Sequence, residues 1–498
     1  MLHPTARVAE LIGLHGLGGA KDLPVPAPFA IAGGTAALLV SFVILILAWR
    51  APRYDAPPLA EAPSPTDHDE DADPLPGWAM DPRPGRSEDA ASDGAWNSGG
   101  LRLPGLIANT LDSLWYRCVV RALGMAFTVF MVYVMYKGPD LIVNPTFGVF
   151  YVILWVGIVP ASLLFGRFFY AISPVRTLFS LVSWVLRINP SKGVFDYPER
   201  LGYWPAALGL FAYVWQELVN PRGVYLGWDP PHPGVRGWLV AYFVIMFFGS
   251  AVFGDTWLAR ADPFEVYSSL LAKLSPWARR SDGDLVLRTP LANLATLVPR
   301  PGLVAVVAVL FGSTAFDSYK DTVRWNSVVT KLGINLEVTN TTALVLACLT
   351  IGVTFVIATK LTGVAETGPE AVPRRLLPQL LAHSMVPIIV GYMTAHYLSY
   401  FVEQGQATVV QLSDPMADGA NLFGTANWSI DYWLSLHPTF LASSKVVAVV
   451  LGHIVGATAA HDRALRLLPK KHQITGQLAL LVIMVVYTGT GLYLLFGS

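Results

Sequence analysis

In the last third of the chain, His396, Tyr400 and Glu403 recur at spacings of four and three, which puts an imidazole, a phenol and a carboxylate on one face of a helix. Such a set can accept and donate protons, and His396 with Glu403 forms part of a divalent-metal ligand set, with Tyr400 as a hydrogen-bond donor. His383 precedes His396 by 13 residues, about 220° around a helix and roughly 20 Å along it, so one small site cannot use both directly. A second group gathers in KVVAVVLGHIVGATAAHDRAL, where His453 adjoins a stripe of Gly452, Gly456 and Ala460, and His461 and Asp462 close the segment. The stripe suits close helix approach, with His453 near mid-depth. His461 and Asp462 are placed to approach His383 on the preceding antiparallel span. Simpler roles compete: a lone buried imidazole often only bonds a neighbouring helix, and Asp462 beside Arg463 can anchor a helix end.

The elements that must carry these residues follow from composition. In 498 residues, 34 basic side chains balance 34 acidic ones; charged residues make up 14% and hydrophobic residues 53%, against roughly 25% charged in ordinary soluble proteins. Mean hydropathy is +0.49. The balance of charge and the lack of a basic stripe exclude a nucleic-acid partner. The apolar residues form runs near the ~20 needed to cross a bilayer. Ten spans are predicted, at about 29–49, 119–137, 146–166, 201–219, 238–257, 301–317, 342–360, 376–402, 442–461 and 474–496, each bounded to within roughly 2 to 4 residues. This is an all-α, polytopic helical bundle whose principal partner is the lipid bilayer. Residues 167–187 are too short an apolar stretch to cross, so they lie at the interface or extend the third span.

Arg167, Arg176, Arg187, Arg260, Arg279, Arg374, Arg463 and Lys470 fall in alternate loops, the pattern of cytoplasmic segments. The expected location is the inner (cytoplasmic) membrane with both termini external. Residues 1–50 form an external lead-in and first span, 51–118 a largely disordered cytoplasmic linker, and 119–498 a nine-helix bundle. The linker includes PSPTDHDEDADPLP, which is too polar to order itself. Only two cysteines occur, and the sequence holds no P-loop, dinucleotide fingerprint, His-Glu-x-x-His or Gly-x-Ser-x-Gly. Asp255, at the inner end of its span in FGDTWLARADPFEVY, and Glu217 and Asp317, at the outer ends of theirs, are further carboxylates near apolar segments.

Three stretches, LHGLGGAKDLPVP, AHYLSYFVEQGQ and GHIVGATAAHDRAL, resemble the multi-span actinobacterial membrane proteins that carry the name fenitrothion hydrolase. The matching positions are His15, Gly18, Gly19, Asp22, His396, Glu403, Gly405, Gln406, His453, His461 and Asp462. The resemblance implies hydrolysis of an apolar organophosphate triester with release of a nitrophenol. Such chemistry calls for an activated water and charge stabilisation, commonly from a metal with His and carboxylate ligands. His396, Glu403 and His15 are then the candidate metal ligands, and His396, Tyr400, Glu403 and His453 the candidate catalytic groups, between the eighth and ninth spans. The rival reading is a transporter or ion-handling permease in which His383, His396, His453 and His461 form a titratable path. A third is an assembly subunit that uses the glycine stripe as a contact face.

Overall fold

The computed structural model describes residues 19–54 and 100–496, apart from 222, 224, 230–231, 280–283 and 363–371. His15, Gly18 and most of the predicted linker, 55–99, lie outside the described residues. From residue 100 the chain is folded: strand Leu101–Arg102 pairs antiparallel with Leu285–Leu287, which also pairs with Trp277–Arg279. The helix Gly105–Asp112 (α1) follows, and the Asp112 carboxylate takes a two-pronged ion pair from Arg279 at 2.6 and 2.9 Å. The segment after the linker is thereby tied to a loop 167 residues on.

Among the described residues, eight helices are long and apolar enough to cross a membrane, which makes this an integral membrane protein of all-α class. They are Ala27–Ala48, Leu114–Lys137 (α2), Val235–Phe253, Leu303–Lys320 (α3), Leu336–Lys360, Arg374–Ser413 (α4), Pro438–Leu467 (α5) and Thr475–Phe496. A ninth arises if Pro145–Val156 and Ile158–Phe165, bent by 46°, count as one span. The predicted span at 201–219 is instead a 15-residue helix, Trp204–Leu218 (α6), too short by length alone. It nevertheless packs against both α3 and the helix Leu336–Lys360, which carries Thr341. Near its start the Tyr203 amide donates to Pro301 O at 2.7 Å, and near its end the Trp215 indole donates to Thr341 Oγ1 at 2.9 Å.

Residues 167–187 do not extend the third span. They form the helices Phe168–Ile172 and Pro174–Leu186 (α7). Leu181, Trp184, Val185 and Leu186 are exposed while Arg176 is buried. This two-faced helix fits a position at an interface.

Helix α4 is the centre of the bundle: 83% of its most apolar window is buried, against 11% in α2. An interior helix can carry polar residues because neighbouring helices satisfy them. It is not regular. A 3₁₀ turn at Ala382–Ser384 precedes Pro387, and a π-turn spans Tyr400–Gln404. Pro387 has no amide to offer the preceding turn, the expected cause of a local break. Helix α5 packs against α4 through the glycine stripe. A Cβ on Gly452 would stand 2.6 Å from Pro387 O, one on Gly456 2.6 Å from Ser384 O, and one on Gly391 2.4 Å from Ala448 O. Only glycine permits backbones this close, so the predicted contact face is used inside the chain.

Candidate functional site

His396 is 4% exposed, and both ring nitrogens have side-chain partners, neither of them on α5. Nε2 is 2.9 Å from Asp317 Oδ2 and Nδ1 is 3.1 Å from Ser318 Oγ, both on α3. Asp317, 6% exposed, also accepts from the Tyr397 hydroxyl at 2.7 Å and pairs with Lys320 at 3.5 Å. Ser318 accepts from Tyr392 OH at 2.9 Å and is 3.0 Å from Thr314 O. Glu217, at the end of α6, lies in electrostatic reach of Asp317 and Lys320, and its Oε2 is buried with no hydrogen-bond partner among the described residues. Three helices therefore converge on one polar cluster at the Lys320 end of the bundle.

Local sequence explains the placement. His396 and Tyr392 are four apart on α4, and Asp317 and Lys320 three apart on α3, so each helix presents one polar stripe. The cluster can hold its protons in more than one arrangement. If the Ser318 hydroxyl donates to Thr314 O, then Nδ1–H donates to Ser318, and Nε2 faces Asp317 either as a second donor or against a protonated carboxyl. If Ser318 donates to Nδ1, then Nε2–H donates to the Asp317 carboxylate. The two states of the first arrangement differ by moving one proton between Nε2 and Asp317. The second arrangement is reached by losing one proton from the pair and turning the Ser318 hydroxyl, and neither change moves a helix.

The predicted triplet on α4 is only partly brought together. The Tyr400 ring lies 6.2 Å from that of Tyr397 and within electrostatic reach of Glu217 and Asp317. Glu403 belongs elsewhere: the π-turn at Tyr400–Gln404 widens the helix and changes its register. Glu403 is fully buried, and its Oε1 accepts from the Ser435 amide at 3.1 Å and from the Ser435 hydroxyl. It ties down the covering segment 414–437, as does Gln406, whose side chain exchanges hydrogen bonds with the Asp431 backbone. Trp428 and Trp433 of that segment are exposed.

The remaining histidines stay apart. His453 is fully buried; Nδ1 faces Val449 O at 2.8 Å and Nε2 has no hydrogen-bond partner among the described residues. His383 faces two backbone carbonyls, Leu380 O at 3.0 Å and Ala459 O at 3.3 Å. His383 and Asp462 line a cavity of about 10 Å³ with Tyr54, Ala459 and Arg463, room for one water, whereas His461 is not among its lining residues. His461 bonds Trp49 O at 2.9 Å and Gln477 Oε1 at 3.0 Å, and Asp462 accepts from Trp49 Nε1 at 3.0 Å and the Arg53 amide at 2.6 Å. This second cluster clasps the chain leaving the first membrane helix, so the anchoring role weighed for Asp462 describes its contacts.

No group of three or more His, Cys, Asp and Glu side chains among the described residues is gathered to hold a metal ion. The donor set His396, Glu403 and His15 does not fit one: His396 and Glu403 bind separate partners, and His15 lies outside the described residues. Asp317, 79 residues before His396, is the group that single-helix spacing missed as its partner. Its signal is an acidic residue inside an apolar span, which needs an internal partner. No family model, curated protein or solved structure matches the chain.

Proposed function

We propose that the protein is a permease of the cytoplasmic membrane that couples solute or ion movement to protonation of the Asp317–His396 pair. The observation that carries this reading is an Asp–His pair buried inside a membrane bundle, with Ser318, Tyr392 and Tyr397 offering alternative proton positions and Glu217 entering from a third helix. Buried ionisable groups in membrane helices are costly, and they recur as proton relays. With the basic loops on the cytoplasmic side, this cluster faces outward, and both termini are external if α6 counts as a crossing. The titratable path runs through Glu217, Asp317 and His396 in place of the four histidines.

The test uses vesicles loaded with a pH-sensitive dye, under an imposed membrane potential, in a medium carrying monovalent and divalent cations. Wild-type protein acidifies the lumen, and Asp317→Asn slows this at least tenfold. Equal rates for the two proteins, or wild type no faster than empty vesicles, would refute the reading.

A second reading rests on the same residues. Ser318 Oγ, His396 and Asp317 form a hydroxyl–imidazole–carboxylate array, the residue order of serine hydrolases with the two ring nitrogens exchanged, Nδ1 toward the hydroxyl and Nε2 toward the carboxylate. This supports the triester hydrolysis implied by the resemblance to the fenitrothion hydrolase family. Ser318 Oγ would bond to phosphorus as its proton passes to His396, the aryl oxide would leave, and water would then release the phosphoryl group. Nitrophenol release that persists in Ser318→Ala would exclude it.

A further inference from the structure

At the end of the bundle opposite Lys320, the chain leaves the helix Val235–Phe253, turns at Gly254 with φ +68°, and folds back as two short helices, Asp255–Ala261 and Pro263–Ala272 (α8). Both limbs are tied to the segment that precedes α3. On the first, Arg260 shares Glu199 with Arg300, at 2.7 and 3.4 Å. On the second, Lys273 donates to Thr296 Oγ1 at 3.0 Å and the Asn293 amide group to Ser275 O at 2.5 Å. Between the limbs the chain reaches the core: a Cβ on Gly209 of α6 would stand 3.1 Å from Pro263, and the Tyr267 hydroxyl lies 3.1 Å from Met393 Sδ on α4. Residues 254–275 are therefore a re-entrant hairpin, irregular backbone of the kind tolerated at membrane depth only inside protein.

Asp262 stands at its tip. Asp followed by Pro is a helix-start signal, and the side chain fulfils it: Oδ1 accepts from the Phe264 and Glu265 amides at 2.9 and 3.2 Å and so caps α8. Oδ2 accepts from the Tyr242 hydroxyl at 2.8 Å. Tyr242 lies 11 residues before Phe253, roughly 16 Å along its helix and about half the hydrocarbon thickness. Asp262 is fully buried and has no ion pair among the described residues. The charged group in its electrostatic reach is Glu265, which differs, because Arg176 on α7 holds it through two bonds at 2.7 and 3.1 Å. One carboxylate of the hairpin is neutralised and the other is not.

The hairpin also touches the elements of the outer cluster. Tyr267 meets Met393, one turn before Tyr397, the residue that donates to Asp317. Tyr213, one turn before Glu217, packs between Trp155 and Phe264 with ring centres 5.0 and 5.4 Å away. This aromatic layer separates Asp262 from the outer carboxylates.

We infer that Asp262 is a second proton carrier, serving the inner half of the path. The inference rests on the proton-coupled reading and extends it. A proton taken at Oδ2 turns the bond with Tyr242 round, so that the carboxyl donates, and it removes the negative charge that the amide end of α8 favours. That loosens the helix that sets Tyr267 against α4. Asp317 and Asp262 thus load and release protons on opposite sides of one aromatic layer.

The test repeats the vesicle assay on the full chain with Asp262→Asn, Asp262→Glu and Asp317→Asn, and records the Tm of each. Asparagine caps a helix as well as aspartate does, so Asp262→Asn should keep a near-wild-type Tm while slowing acidification of the lumen about tenfold or more. Asp262→Glu, which still carries a proton, should run faster than Asp262→Asn. Equal slowing in both, together with a lowered Tm, would assign Asp262 to capping alone and overturn the inference. A wild-type rate in Asp262→Asn beside a slow Asp317→Asn would also overturn it, and leaves the proton-coupled reading intact. Wild type no faster than empty vesicles overturns that reading and this inference with it. If Asp262→Asn does not fold, Tyr242→Phe, which removes the hydroxyl that bonds the carboxylate, should displace the pH of half-maximal transport; an unchanged profile would count against Asp262 as a carrier and overturn the inference.

Discussion

Two regions of this protein pair a histidine with an aspartate, and they use the pair differently. His396 and Asp317 come from different helices and bond to side chains whose protons can be redistributed: Ser318, itself bonded to Tyr392, and Tyr397 and Lys320. His461 and Asp462 are neighbours on α5 and bond largely to the main chain and indole that follow the first helix: Trp49 O, Trp49 Nε1 and the Arg53 amide. Backbone partners fix which atom donates, because a carbonyl can only accept and an amide only donate. The clasp therefore fixes the proton on His461 Nε2 and an unprotonated Asp462 Oδ1 and has a structural role, while the other pair has several arrangements and can act as a relay. The residue types are the same; the partners decide.

Substitutions that break the comparison should rank by how much backbone they disturb. Gly452→Leu pushes α4 and α5 apart, removing the frame of both regions, and should cost about 3 kcal/mol, read as loss of the monodisperse folded peak in size exclusion. Asp462→Ala strands the Trp49 indole and the Arg53 amide and should cost about 2 kcal/mol, seen as a lowered Tm with proton movement per folded molecule unchanged. Asp317→Asn keeps an acceptor for Tyr397 and leaves Lys320 beside Asp321 at 3.6 Å, so it should cost about 1 kcal/mol, although it blocks proton movement. Glu403→Gln retains an acceptor for Ser435 and should change the Tm least; the readout that sharpens the comparison is proteolysis of the segment 414–437, which should stay as slow as in wild type. If Asp317→Asn unfolds the protein while Asp462→Ala leaves it stable, the two roles are reversed.

Much of the architecture was legible because apolar runs near 20 residues have few other uses: the spans at 29–49, 301–317 and 474–496 match Ala27–Ala48, Leu303–Lys320 and Thr475–Phe496 closely. The glycine stripe of α5 was legible for the same reason, since Gly452 and Gly456 at a spacing of four have a steric meaning wherever a helix packs. The site was half legible. The spacing of His396 and Glu403 assumes a regular helix, and the π-turn at Tyr400–Gln404 carries no proline or charge pattern that announces it. Spacing also says which residues share a face, never which helix that face meets. Asp317 was recognisable as a carboxylate at a span end, but its pairing with His396 is tertiary, set by how α3 packs against α4. The shortness of α6 has a similar origin: Gly202, at φ +45°, turns the chain against Pro301 just before the helix begins.

The most direct test of a relay at Asp317 and His396 is nitrogen NMR of protein labelled with ¹⁵N only in histidine, reconstituted in lipid and assigned by single His→Gln variants. The His396 ring nitrogens should show exchange between protonation forms as pH is lowered and should collapse to one form in Asp317→Asn, while His461 keeps its proton on Nε2, held by Trp49 O. A His396 signal that is invariant with pH and indifferent to Asp317→Asn would contradict the account.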